Sequence, residues 1–151
     1  MTWQESESID EAVAALGYNA QVKKLEQGAA RALHDRFRSK CCPGSEGTFY
    51  WDGFVEPSAY LRDPEGWRRV EEFVRPCMSG TQEDVYLFFN WSDDHTVYCL
   101  PLNLIVPILA ECGGFEFYVA DEQCAFAFCH NHHDAICLQG KAAILTRSAG
   151  P

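Results

Sequence analysis

The segment from Phe115 to Gly140 constrains the fold most. It holds three runs rich in aromatic, branched and small apolar residues: Phe115 to Ala120, Ala125 to His130 and Ala135 to Gly140. Between them lie only short polar links, Asp121-Glu122-Gln123 and Asn131-His132-His133-Asp134. Asn and Asp favour tight turns because their side chains bond nearby backbone, so the expected product is three consecutive strands in a β-meander.

Upstream, apolar spacing of three and four predicts helices. Ser6 or Ser8 caps a first one carrying Ile9, Val13, Ala14 and Leu16, closed by Gly17. A second, from about Asn19, lines up Val22, Leu25, Ala29, Leu33 and Phe37, with Arg31, Arg36, Arg38 and Lys40 toward its C-terminal end, where cations suit the helix dipole. The Pro and Gly of Cys41 to Gly47 make a loop, and Thr48 to Phe54 is expected to be a strand. Asp63-Pro64-Glu65 opens a further helix with Trp67, Val70, Phe73 and Val74 inward, ending between Pro76 and Gly80. Asp84 to Asn90 is apolar on both faces, as a central strand is, and returns through Trp91 to His95 into a strand from Thr96 to Leu100. A short helix with Leu104, Ile105, Ile108 and Leu109 then stops at Gly113-Gly114. The order lacks βαβ repetition, so the fold class is α+β: a mostly antiparallel sheet with helices on one face, in a single domain of 151 residues with a frayed SAGP tail.

Charge narrows the function classes. Twenty-two acids against 12 bases leave a formal charge of -10, which argues against nucleic acid as a partner and for a basic protein. The acidic N-terminus lacks a signal-peptide pattern and the longest apolar stretch contains Pro101, Asn103 and Pro107, so a cytoplasmic protein with no membrane partner is expected. Eight scattered cysteines without a CxxC pair suit free thiols. No GxSxG elbow, phosphate loop or dinucleotide fingerprint occurs, and no cofactor is expected.

The nine residues CHNHHDAIC, Cys129 to Cys137, concentrate chemistry-bearing side chains. Strand alternation sends Cys129 and His130 to opposite faces, which weakens a shared metal. His132, His133 and Asp134 lie in the turn and form the alternative metal set, completed from elsewhere by residues such as His95 or Cys99. No cysteine is marked out as a nucleophile beside a histidine, and the letters HNH lack the basic surroundings of a nuclease. The reading preferred over catalysis is a binding surface of turns. Glu83, Asp84, Asp93, Asp94, His95, Asp121, Glu122, His132 and Asp134 supply its polar groups, and Tyr50, Trp51, Trp91 and Tyr118 its aromatic anchors.

The stretch GGFEFYVADEQCAFAFCHNHHDAICLQG, with Asn131, His132, His133 and Asp134 at its turn, resembles the C-terminal meander of small bacterial α+β domains. In acidity, size and element order the chain also resembles the immunity proteins of bacterial toxin systems, including the SUKH-like group. The resemblance implies a protein that neutralises a cognate toxin or effector by covering its basic active site, and it carries over no catalytic residue.

Overall fold

The computed structural model describes residues 5–45, 49–81, 83–90 and 95–149. Seven strands form one antiparallel sheet: β1 (Lys23–Lys24), β2 (Ser58–Arg62), β3 (Asp84–Phe88), β4 (Val97–Pro101), β5 (Phe117–Ala120), β6 (Phe126–His130) and β7 (Ala135–Gly140). Their order across the sheet is β1-β4-β3-β5-β6-β7-β2. The α+β class and the C-terminal meander are as the sequence predicts, with β5, β6 and β7 adjacent and in register Val119 to Phe128 to Leu138.

The helices are α1 (Glu5–Leu16), α2 (Gln27–Cys41), α3 (Val70–Val74), α4 (Ile105–Cys112) and α5 (Lys141–Ala149). They cover both faces of the sheet, where helices on one face were expected. One face buries Leu87, Leu100, Val119, Phe128 and Leu138 against α1, α3, α4 and α5. The other buries Phe88, Val97, Tyr118, Ala127 and Cys129 against Leu33 and Phe37 of α2 and against Tyr50. Strands buried on both faces read as continuous apolar runs, which is why β6 and β7 are buried at nearly every position.

Four local departures have physical causes. Thr48 lies outside the described residues, and the rest of the expected strand makes a 3-10 turn at Trp51–Gly53. There the backbone N–H groups of Tyr50 and Trp51 donate to the Asn90 side chain (2.5 Å) and the Tyr118 hydroxyl (3.1 Å), so side chains satisfy what a strand ladder would have. The strand forms later, as β2, after a cis Glu56–Pro57 bond. The second helix begins at Gln27 because the chain before it pairs with β4 and Glu26 then caps it, accepting from Ala29 N at 3.2 Å. The helix expected after Asp63 is broken into 3-10 turns on either side of α3. Finally, Ser148 and Ala149 of the expected tail belong to α5, which starts at once after Gly140. Gly140 has φ +70, and a Cβ there would lie 2.6 Å from the Ala125 carbonyl oxygen, so a glycine makes that corner.

Candidate functional site

The β6–β7 turn is built around Asn131, which is buried. Its Oδ1 accepts from the backbone N–H of His133 and of Ala135, both at 3.0 Å, and its own N–H donates to the Ala135 carbonyl at 2.9 Å. Asp134 takes a left-handed φ of 57, which Asp tolerates better than most residues. The turn is anchored laterally, since the Asp134 carbonyl accepts from Asp63 N at 2.8 Å. The Asn and Asp of this motif thus set its shape, and the two histidines are what it displays.

Glu116, just before β5, fixes one of those histidines. One carboxylate oxygen, Oε1, accepts from the His132 backbone N–H (3.1 Å), from His132 Nδ1 (2.9 Å) and from the Trp51 indole N–H (3.1 Å). The Glu116 side chain is only 8% exposed and that of His132 is 44% exposed, so a buried carboxylate holds an exposed ring. Because the carboxylate accepts, Nδ1 carries a proton and Nε2 faces away from Glu116. Around it Phe49 and His133 lie 4.7 and 4.1 Å from the His132 ring, and Trp51 lies 5.7 Å from His133. Trp51 is held three ways: by Glu116, by its backbone bond to Tyr118, and by stacking on Phe49 at 5.8 Å.

Beside this cluster opens a groove of about 460 Å³, floored by Leu109, Phe115 and Phe117 and walled by Trp67, His130 and His132. His130 is buried and faces the groove side of the sheet, with Nε2 donating to the Asp63 carbonyl at 2.9 Å, while Cys129 packs on the opposite face. Outside the groove lining Arg69 joins Asp63 (3.0 Å) and Glu72 (2.6 Å), and its guanidinium holds both carboxyls below their ordinary range. The Arg68 guanidinium carbon lies over the Trp67 ring, 4.2 Å from its centroid.

The residues expected to bind a partner do not form one surface. His95, His132 and Asp134 lie at the same end of the sheet as Glu116, because β3 ends where β5 begins and β6 ends where β7 begins. Glu83, Asp84, Asp121 and Glu122 lie at the opposite end, as the pairing of Tyr86 with Ala120 requires. There Asp121 caps its own turn by accepting from Ala125 N (2.7 Å), and Arg36 and Lys40 of α2 donate to the Glu122 and Gln123 carbonyls. Acids and bases are interleaved at that end. Trp91, Asp93 and Asp94 lie outside the described residues.

Chemistry of the other two kinds finds less support in the geometry. Among the described residues no three His, Cys, Asp or Glu side chains come together to hold a metal ion, and His132 Nδ1 is already engaged by Glu116. All eight cysteines are free thiols. Burial pushes Cys42, Cys77 and Cys112 up to about 11 and Cys124 up to about 12, and it raises Cys41, Cys99 and Cys129 as well. These are protonated thiols, the reverse of an activated nucleophile.

Two histidines lie on the α2 face at the same end of the sheet. His34 is 1% exposed, bonds the Tyr50 hydroxyl through Nδ1 (2.9 Å) and meets the His95 ring edge-on at 5.0 Å. Burial first, then the neighbouring His95 and Arg38, lower its pKa from 6.5 to about 4. Nothing in the sequence marks His34 or Glu116: one sits in a helical stripe and the other follows Gly-Gly-Phe without a repeating pattern. The chain matches no protein-family model and no curated protein.

Proposed function

We propose that this chain is an acidic binding protein of the bacterial immunity type, acting in the cytoplasm to neutralise a cognate toxin or effector by covering its basic active site. In this reading the contact is made at the end of the sheet that carries His132, His133, Asp134 and Trp51. The observation that carries it is the buried Glu116 carboxylate, which fixes an indole, an imidazole and a turn backbone together beside an open groove. Groups held this way lose little freedom on binding, and the cost of ordering side chains is a large part of what limits affinity.

The formal charge of -10 supports the same partner class. A negatively charged protein gathers a basic partner by long-range attraction, and Lys or Arg side chains of that partner find aromatic faces and a carboxylate at the contact. The acids of the opposite end, Glu83, Asp84, Asp121 and Glu122, contribute to that field without touching the partner. Burial raises Cys42 and Cys124, and no metal-binding set occurs among the described residues, so neither the thiol nor the metal reading gains support here.

Co-expression with a toxin domain encoded beside this chain's gene tests the reading. The expected result is restored growth with the wild-type chain and loss of protection with Trp51→Ala combined with His132→Ala, both proteins accumulating equally. Growth arrest that the wild-type chain does not relieve would sink the proposal.

A further inference from the structure

The two edges of the sheet are unlike. On one side the outermost strand, β1, is two lysines long, which blunts it against further pairing. On the other, β2 is five residues long and, among the described residues, has no further strand paired to it. The four large apolar side chains that are 40% or more exposed among the described residues all lie by this second edge. Val55 leads into it, Tyr60 (59%) and Leu61 (40%) belong to it, and Ile144 sits on α5, which touches β2 through Arg147.

The hydrogen-bond phase of β2 follows from its partner. Gly140 N donates to the Pro57 carbonyl and Asp63 N to the Asp134 carbonyl, so the odd-numbered residues bond inward to β7. The N–H and C=O groups of Ser58, Tyr60 and Arg62 therefore point outward. Ser58 is capped from within the chain: Glu56 accepts its N–H at 3.3 Å and Arg147 donates to its carbonyl. The open part of the edge is thus Tyr60 to Arg62.

We infer that this edge pairs with the same edge of a second copy of the chain, antiparallel, about a two-fold axis through Leu61. Only that axis matches the outward groups of Tyr60 with those of Arg62 in both directions, making four backbone hydrogen bonds and using no capped group. It sets Leu61 against Leu61 at the axis, where facing side chains of a non-hydrogen-bonded pair are closest. On the other face, Arg62 lies opposite the second copy's Tyr60 ring. Arg62 makes no ion pair among the described residues, and its diagonal neighbours across the axis are the second copy's Arg62 and its Ser58 end, where the Glu56 carboxylate, bonded to Arg147 and Ser58 of its own chain, sits on the edge. Extended toward the Ser58 end and away from its own symmetry mate, Arg62 of each copy meets the other's Glu56 carboxylate, which offsets locally the repulsion between two chains of charge -10. The open stretch Tyr60 to Arg62 carries no Pro or Lys to keep a second strand away.

Mass measurement on the full chain at tens of micromolar tests this, by light scattering after size exclusion or by sedimentation. The expected result is twice the 17.0 kDa of one chain for the wild type. Leu61→Lys, which sets two like charges at the axis, and Arg62→Pro, which removes one outward N–H and none of the β7 bonds, should both give the single-chain mass with unchanged circular dichroism. Leu61→Cys should cross-link into a disulfide dimer under oxidation that leaves the wild type unlinked. Amide exchange of Tyr60 and Arg62 should be slow in the wild type and fast in Leu61→Lys. A wild type that is monomeric at all concentrations, or a dimer that survives both Leu61→Lys and Arg62→Pro, overturns the inference. Protection of the same two amides only when a different protein is present would assign the edge to that partner and overturn self-pairing.

Discussion

Glu116 and His34 show what single residues contribute here. Glu116 orients His132 through Nδ1, so nitrogen chemical shifts of the imidazole should report Nδ1 as the protonated, hydrogen-bonded nitrogen. Glu116→Gln should release it to the mixture of tautomers of a free histidine and cost about 1–3 kcal/mol, since the Trp51 and His132 donors lose a charged acceptor. An unchanged tautomer in the variant would contradict the role given to Glu116. His34 works in the opposite sense, as a group kept neutral by burial. Its folded pKa of about 4 lies below the 6.5 of the unfolded chain, so the unfolded state binds the extra proton between those values. Stability from this residue is therefore complete above pH 6.5 and lost as pH falls toward 4, by about 2 kcal/mol at pH 5. Urea unfolding at pH 7 and pH 5 checks it, and His34→Gln should flatten that difference; an equal slope in the variant would contradict the assignment.

At the scale of elements, the corner between β7 and α5 depends on Gly140. Gly140→Ala combines a left-handed φ with an approach to the Ala125 backbone that no side-chain rotation relieves, and it should lower stability by about 2 kcal/mol or more. Gly113 has open space around the Cβ position, but its φ +84 and ψ -176 lie in a region almost confined to glycine, so alanine there should cost about 1–3 kcal/mol from backbone strain alone. Thermal melts of the two variants check both costs. The meander, β3, β4 and the α1 stripe were legible in sequence because period and turn chemistry are local signals. The 3-10 turn at Trp51 and the strand β2 were not, because side chains from Asn90 and Tyr118, 40 and 67 residues away, decide where that backbone finds its partners. The candidate site divides the same way. The histidine turn stands out in the sequence, whereas Glu116, the residue that organises it, becomes visible only when β5 and β6 are paired. The acidic turns looked alike in sequence and are separated by strand direction, which places them at opposite ends of the sheet.

For the whole molecule, the proposed function couples a strongly negative field to one fixed contact surface. The field acts at long range and is screened by salt, so association with a basic partner should slow as ionic strength rises from 0.02 to 0.5 M by about tenfold or more. Charge reversal at Glu83 and Asp84 should slow association to a small degree and leave dissociation unchanged, because these residues lie at the end remote from the contact. Central aromatic anchors act on dissociation instead. The proposed contact is read by a calorimetric titration of a candidate toxin domain, encoded beside this chain's gene, into the wild-type chain and into Trp51→Ala. The account predicts saturable one-to-one binding per chain, weakened about 30-fold or more by Trp51→Ala while the variant's melting curve stays cooperative. Binding of equal strength to both proteins, or none to the wild type, would contradict it.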